Sequence, residues 1–149
     1  DPTACRAVVV HPGAAVILPI LGDGRIVMIR NQRSAIEREL LELPAGTIDP
    51  GESPAATAAR ELEEETGYRA ERIEPFTTFY PSPGILTEKM FVFMATGLEY
   101  VGQRLEETEQ SRVEIVTAEE ARRRLVAGEL EDGKTVATFG LYFARREDA

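Results

Sequence analysis

Three glutamates in one segment stand at spacings that an α-helix brings together. Glu61 and Glu65 are four residues apart, and Glu64 is three residues from Glu61. Residues at these spacings share one helical face, where three like charges destabilise the helix slightly. The face is then either a solvated acidic surface or a group of oxygen ligands for a hard divalent cation. Mg²⁺ takes few protein carboxylates and completes its coordination with water and substrate phosphates, so the second interpretation implies phosphate chemistry.

The residues around these glutamates follow a longer pattern. Five residues separate Gly46 from Glu52, seven more separate Glu52 from Arg60, and Gly67 ends the acidic stretch. This segment resembles the Nudix box, GX5EX7REUXEEXGU, in which U is a bulky aliphatic residue. Every fixed position is matched, and the one departure is Tyr68 at the final U, where we expect only a difference in packing. The resemblance favours the metal interpretation over the solvated surface.

What the resemblance implies is hydrolysis of a nucleoside diphosphate linked to another moiety, with Mg²⁺, or Mn²⁺ as the alternative. It also implies a set of metal ligands, one of them a backbone carbonyl: Ala45 (the carbonyl), Glu61, Glu64 and Glu65. Arg60 is expected to hold a glutamate in orientation, with Glu52 supporting the ligands from behind. Gly46 is expected to let the backbone turn sharply and approach the metal.

Residues outside the box are similar to those of the ADP-ribose pyrophosphatase subfamily. The run from Leu41 to Gly46 precedes the box as it does there, and Pro83 stands sixteen residues beyond Gly67. The substrate-binding residues that this likeness implies are Arg30, Arg33, Glu42, Gly46, Pro83, Gly84 and Glu88. A guanidinium such as that of Arg33 suits the two-pronged geometry of a diphosphate. The sequence leaves open a plain turn at Pro83 and exposed surface charges at Arg33 and Glu88.

A base for the attacking water is also expected. In this subfamily it is commonly a glutamate on a mobile loop well after the box, and Glu106, Glu107 and Glu109 form such a cluster. Glu107 is favoured, Glu109 is second, and Glu64 would serve if neither loop glutamate does. A positioned base contributes roughly 10²- to 10⁴-fold in rate. The alternative is an acidic loop that is merely solvated.

Three functions remain in competition at this point. The favoured function is hydrolysis of ADP-ribose, or a similar nucleotide sugar, to AMP and ribose 5-phosphate. The second is the same chemistry on nucleoside triphosphates or dinucleoside polyphosphates. The third is a Nudix-fold binding module without catalysis, but such modules usually lose glutamates of the box.

The elements that must position these residues follow from cap, turn and periodicity signals. Ser53, Pro54 and Gly67 suit the N-cap, the first position and the C′ position of a helix, so we expect a helix from Ser53 to Thr66 after a loop at 45–52. Its expected apolar stripe is Ala55, Ala58, Ala59 and Leu62. Further helices are expected at 117–127 and around Phe139, the latter with a stripe of Val136, Phe139, Gly140 and Phe143. Strands are expected at 6–10, 14–21, 25–30, 39–43, 73–80, 90–96 and 113–116, with the second and third forming a hairpin.

We therefore expect an α+β fold, a Nudix-type α/β/α sandwich with a mixed β-sheet and the loop-helix of the box. The 149 residues suit one domain, 1–149, that opens with a short strand segment, 1–12. A net charge of −9 repels nucleic acid and anionic membrane surfaces, and no apolar run approaches the ~20 residues that span a bilayer. The single cysteine, Cys5, cannot form an internal disulfide, and we expect a cytoplasmic protein. The resemblance implies a homodimer.

Overall fold

The computed structural model describes residues 7–104 and 111–147, which form seven strands and three helices. The elements in chain order are β1 (Ala14–Pro19), β2 (Ile26–Arg33), β3 (Arg38–Glu42), β4 (Ala45–Thr47), α1 (Pro54–Thr66), β5 (Tyr68–Phe79), β6 (Met90–Tyr100), β7 (Ser111–Val116), α2 (Ala118–Val126) and α3 (Gly133–Glu147). Two sheets lie between α1 on one side and α2 with α3 on the other. No helix in this described part is long and apolar enough to cross a bilayer.

The larger sheet is mixed, as expected. Its strand order is β4-β1-β6-β5, with β1 parallel to β6 and the other two pairings antiparallel. β5 begins at Tyr68, directly after α1, and β6 ends at Tyr100, so both strands are longer than the predicted 73–80 and 90–96. They pair with each other from Tyr68–Tyr100 to Phe79–Met90. The residues between β5 and β6 therefore lie at the end of the sheet that also carries the start of β1.

The second sheet corrects the predicted hairpin. β2 pairs with β3 and β7 rather than with β1. Near the turn between the first two strands, an isolated bridge joins Ile20 to Ile26, and the Leu21 N–H donates to the Arg25 carbonyl. The predicted strand at 6–10 is also wrong over its described residues, where Val9 forms one parallel bridge with Leu86. Pairing with β3 extends β2 to Arg33, three residues beyond the predicted strand.

Alternating side chains of β1 divide the core between the two helical layers. Ala15 and Ile17 pack with Ala58 and Leu62 of α1, whereas the intervening residues of β1 pack towards α2 and α3. The predicted stripe on α1 is half wrong, because Ala55 and Ala59 are exposed and the buried face instead includes two carboxylates. Truncating the fully buried Leu62 to Ala would cost about 2–5 kcal/mol.

Caps fix both ends of α1 as the sequence indicates. The Ser53 side chain accepts a hydrogen bond from the backbone N–H of Ala56, and Gly67 is left-handed at φ 76°. A side chain at Gly67 would also collide with the Tyr100 ring and the backbone of Gln103. The caps fix where the helix begins and ends. Within it, Glu61 and Glu65 lie on the side that faces β4.

Candidate active site

The acidic face of α1 is turned into the protein rather than into solvent. Glu61 and Glu65 are only 8% and 4% exposed, while the Glu64 side chain is about one third exposed. The backbone N–H of Ala45 donates to Oε2 of Glu65 at 2.9 Å, which ties the helix to the start of β4. Burial of carboxylates is costly unless partners or cations compensate for it, so this face is not an ordinary solvated surface.

Gly46 meets this face at close range. A Cβ atom on Gly46 would lie nearer to the Glu61 carboxyl carbon than non-bonded atoms can approach. The residue lies within β4 and does not have a positive φ, so the predicted sharp turn is wrong. What requires glycine here is the close approach of strand backbone and carboxylate.

Arg60 lies among the glutamates. Its Nη1 donates to Glu61 at 2.7 Å and to Glu64 at 3.0 Å, and its Nε and Nη2 donate to the two oxygens of Glu52 at 3.1 Å each. Asp49 adds a more distant ion pair at 3.6 Å. One guanidinium therefore orients several carboxylates, as the resemblance implies, but it cannot neutralise them all.

The two charged groups that meet behind this face have shifted pKa values. The hydrogen bonds from Arg60, and then from the Thr57 hydroxyl, lower the pKa of Glu52 from 4.5 to about 2. The bond to Glu52 in turn raises the pKa of the Arg60 guanidinium above its usual value, with Glu61 and Glu64 contributing. Glu52 is thus a permanent anion that anchors Arg60 from behind, which fits its predicted supporting role.

Two adjoining cavities open beside α1. An acidic cavity of about 310 Å³ is lined by the three glutamates of the helix and by Asn31 and Arg33 of β2. A neighbouring cavity of about 350 Å³ is lined by residues of the β5–β6 connection and by the first turn of α3. The lining residues common to both are Arg33, Ala45, Gly46 and Thr47. A ligand long enough to span the two would pass these residues.

Arg33 stands at the boundary of the cavities and is held from below. Its Nε donates to Oε1 of Glu42 at 2.8 Å and its Nη2 to Oε2, a two-pronged pair that raises the pKa of the guanidinium. Glu42 is fully buried, so its side chain does not reach either cavity. The predicted substrate contact of Glu42 is therefore wrong for this structure, in which Glu42 holds the Arg33 side chain instead.

Arg30 lies away from both cavities, contrary to its predicted substrate contact. Successive side chains of a strand point to opposite faces, so Arg30 is directed away from the side that Asn31 and Arg33 occupy. Its Nε pairs with Glu114 of β7, and Glu114 pairs in turn with Arg124 of α2.

The connection between β5 and β6 contributes only part of what the sequence indicates. Glu88 lines the second cavity and lies 3.6 Å from Nδ1 of His11. Pro83 and Gly84 are exposed in a turn and line neither cavity, where Pro81 is found instead. The plain-turn interpretation of Pro83 therefore describes this structure. The candidate bases Glu107 and Glu109 fall outside the described residues.

The residues present fit a divalent cation. Glu61, Glu64 and Glu65 bring carboxylate oxygens next to Gly46, which has no side chain, and hard cations such as Mg²⁺ prefer oxygen donors. Within residues 7–104 and 111–147, no three acidic, histidine or cysteine side chains are already gathered as they would be around an ion. Nη1 of Arg60 donates to both Glu61 and Glu64 here.

One site residue was missed from the sequence. Lys134, in the first turn of α3, is 6% exposed, lines the second cavity and contacts Glu42 at 2.6 Å. The predicted stripe of α3 rested on apolar residues, yet Val136 and Gly140 are exposed while Lys134, Thr135 and Thr138 are buried. Asp132 just before the helix is a signal that could have indicated a capped first turn with a polar buried side.

Comparison with known proteins identifies the family of the chain. Residues 10–139 match the NUDIX domain family, and the chain belongs to that family. The predicted membership, fold class and hydrolase class are therefore confirmed. Members of the family generally use divalent metal cations.

Individual proteins similar to this chain include two curated relatives and one solved structure. The chain is 42% identical over 132 residues to an ADP-ribose pyrophosphatase of Bacillus subtilis, spanning 87% of this chain and 71% of that protein. It is 37% identical over 136 residues to a methanol dehydrogenase activator of Bacillus methanolicus, spanning 90% and 74%. A solved structure of an ADP compounds hydrolase superposes with a TM-score of 0.81 at 25% identity, over 91% of this chain and 73% of that one.

Proposed function

We propose that this chain hydrolyses the pyrophosphate bond of ADP-ribose, or of a similar nucleoside diphosphate sugar, to AMP and ribose 5-phosphate. The observation that carries the proposal is the pair of adjoining cavities, one acidic and one with Arg33 at its boundary. A diphosphate needs cations on one side and a guanidinium on another, and its two substituents need space in both directions. The similarity to an ADP-ribose pyrophosphatase supports the choice of substrate.

Mg²⁺ is the proposed cation, with Mn²⁺ as the alternative. Its ligands would be Glu61, Glu64, Glu65 and the carbonyl of Ala45. When bound, the cation would offset the charge of the diphosphate and make the attacking water more acidic. Glu52 and Arg60 would then keep the ligand carboxylates oriented, since Arg60 already contacts Glu61 and Glu64.

The reaction itself requires two things of the protein's side chains: binding of the diphosphate and removal of a proton from the attacking water. Arg33 binds the diphosphate, and the water oxygen attacks one phosphorus while the bond from that phosphorus to the bridging oxygen breaks. One carboxylate accepts the proton that the water loses, and the departing phosphate carries the charge that remains. We propose Glu107 as the base that accepts this proton, with Glu109 as the second candidate, because the glutamates of α1 would be occupied as metal ligands.

Exchange of the proposed base separates these candidates. Glu107→Gln should lower kcat by about 10²-fold or more with little change in KM, because a base acts on the transition state and not on binding. Glu109→Gln is the matched variant and should do less. If Glu107→Gln retains more than about half of the parent kcat while Glu109→Gln or Glu88→Gln is inactive, the role of base moves to that other residue. If all three variants stay active, the helix itself must supply the base, and Glu64 becomes the first candidate.

A panel of substrates tests the function. ADP-ribose, ADP-glucose, diadenosine polyphosphates and dGTP are each supplied with Mg²⁺, and products are separated by chromatography. We expect ADP-ribose to give the highest kcat/KM and to yield AMP and ribose 5-phosphate. Better turnover of dGTP or of a dinucleoside polyphosphate would transfer the function to the second class of substrates. No turnover of any of them would favour a binding module.

A homodimer in the cytoplasm completes the proposal. Four apolar side chains are exposed in two neighbouring segments: Val8, Val9, Val10 and Ile85. The backbone N–H of Val9 donates to the carbonyl of Ile85, so the two segments are adjacent. We expect a partner subunit to cover this apolar surface. Light scattering during size-exclusion chromatography should give twice the mass of the chain, and the monomer mass would remove this part of the proposal.

A further inference from the structure

A buried chain of charges lies beneath Arg33 and has no place in the reaction described above. Glu42 is fully buried, and Oε2 of its carboxylate accepts from both Arg33 and Lys134, the latter at 2.6 Å. Lys134 is 6% exposed and also donates to Asp132 at 3.0 Å. The order along the network is therefore Arg33, Glu42, Lys134 and Asp132.

Such a network is a poor way to stabilise a protein. Burial strips water from both partners, and a well-packed apolar pair at Glu42 and Lys134 would often be as stable or more so. The neighbouring Thr135 already joins α3 to the residue after β3 without charge, since its hydroxyl accepts from the Leu43 N–H at 2.9 Å. The charges are thus not needed simply to attach the helix to the strand.

The geometry of Arg33 indicates what the charges accomplish. Glu42 engages Nε and Nη2, and among the described residues Nη1 has no hydrogen-bond partner. Arg33 also lines both cavities, at the position that a diphosphate would pass. An arginine side chain is flexible, and fixing its planar fork in advance lowers the entropy lost when it binds an anion.

We propose that Lys134 is a positioning residue for the diphosphate: it holds Oε2 of Glu42, and through Glu42 it fixes the Arg33 guanidinium so that Nη1, which no described residue engages, is directed to the diphosphate at the boundary of the cavities. Asp132 holds Lys134 in the same way. This inference rests on the proposed function, because it takes the diphosphate as the ligand of Arg33.

A double-mutant cycle tests whether Lys134 acts through Arg33. The probe is the analogue of ADP-ribose in which a methylene group replaces the bridging oxygen, so binding is measured by calorimetry with Mg²⁺ and without turnover. Lys134→Met should raise Kd about tenfold in the parent background, a size typical of coupled neighbours. In an Arg33→Met background the same change should leave Kd within about twofold of the single variant.

Two further variants guard against a merely structural effect. Phe139→Leu truncates a fully buried ring on the same helix and keeps every charge and every hydrogen bond of Asp132, so it should lower Tm while leaving Kd within about twofold of the parent. Asp132→Asn keeps a side chain able to cap α3 and weakens only the hold on Lys134. It should raise Kd about threefold, again only when Arg33 is present, and it serves if Lys134→Met does not fold.

The outcomes distinguish the inference from the function on which it rests. Equal effects of Lys134→Met in both backgrounds, or a Kd change in Phe139→Leu as large as in Lys134→Met, overturn the positioning role. If the cycle shows coupling but the parent does not hydrolyse ADP-ribose, the positioning role stands and the proposed function fails. A parent that does not bind the analogue at all overturns both.

Discussion

Two helices of this protein carry glutamates next to arginines, and they use them in opposite ways. At α1, four carboxylates share the single guanidinium of Arg60: Asp49, Glu52, Glu61 and Glu64. Glu65 lies beside them on the same helix and accepts a hydrogen bond from the Ala45 N–H. At α2, three arginines meet three glutamates: Arg30, Arg123 and Arg124 against Glu114, Glu120 and Glu129. The first group has a surplus of negative charge, whereas the second is balanced.

The balanced group is a surface network of ion pairs. Arg123 contacts Glu120 at 2.8 Å and Glu129 at 2.7 Å, and Arg124 joins Glu120 to Glu114. The bonds from Arg123 and Arg124 lower the pKa of Glu120 to about 2. A cavity of about 370 Å³ beside this network is lined by charged side chains that are ion-paired.

The difference shows that a count of glutamates does not reveal a site, while the local balance of charge does. Surplus carboxylates that are also buried need a cation from outside the protein, because desolvated negative charge is otherwise costly. A balanced, solvent-reached group needs nothing more. The variants below are chosen in pairs, one from each region, to test this distinction.

The largest expected effect is on activity at α1. Glu65→Gln keeps size and the ability to accept from the Ala45 N–H but removes a charge from the proposed metal ligands. Activity on ADP-ribose with Mg²⁺ should fall about 10²-fold or more, since a carboxylate cannot be replaced by an amide as a hard-cation ligand without loss. Glu120→Gln is the matched change at α2 and should keep parental activity. Similar activity in both variants would remove the distinction between the two regions.

A second effect concerns the close approach of β4 to α1. Gly46→Ala places a methyl group in the space of the Glu61 carboxylate, which must move. Because small misplacements at a reacting centre cost up to ~10²-fold, kcat should fall by one to two orders of magnitude. Gly140→Ala is the control, since nothing lies within 4 Å of its added Cβ, and an alanine there should raise helix stability by about 0.5–1 kcal/mol. A fully active Gly46→Ala would show that the position of Glu61 does not matter.

The smallest expected effect concerns the pH dependence of stability, for which the α1 and α2 regions should behave alike. Glu52 and Glu120 both have folded-state pKa values of about 2 against 4.5 when unperturbed, because each is bonded to arginine. Their stabilisation is complete above pH 4.5 and is lost as the pH falls towards 2, since the unfolded chain takes up the protons first. Glu52→Gln and Glu120→Gln should each flatten the decline of Tm between these values. An unchanged decline in either variant would contradict that pKa shift.

Much of the acidic site was predictable from the sequence, because its spacing is local. Ser53, Gly67 and the repeat of Glu61 and Glu65 lie within one helix, whose caps and periodicity fix which side chains share a face. The role of Arg60 between glutamates follows from the same local geometry. A motif within one element can be interpreted without knowing the rest of the fold.

The rest of the site depends on how distant segments meet, and there the sequence was less informative. Lys134 and Glu42 are far apart in the chain, and neither apolar periodicity nor composition indicates that they form a buried pair. Arg30 and Arg33 are the same residue type on the same strand, so the sequence does not distinguish their roles. Alternation of side chains along β2 places them on opposite faces, and the pairing of β2 with β7 brings Arg30 to Glu114. The predicted hairpin of β1 and β2 failed for the same reason, because turn chemistry brings two strands close without deciding which partners they take.

Direct binding of a divalent cation tests the central claim, that the surplus charge at α1 is a cation site. Mn²⁺ is titrated into the nucleotide-free protein and the free ion is measured by electron paramagnetic resonance, for the parent, Glu65→Gln and Glu120→Gln. We expect the parent and Glu120→Gln to bind Mn²⁺ with the same Kd, with Mg²⁺ as a competitor, and Glu65→Gln to bind at least about tenfold more weakly. Equal Mn²⁺ binding by Glu65→Gln and the parent would contradict the claim.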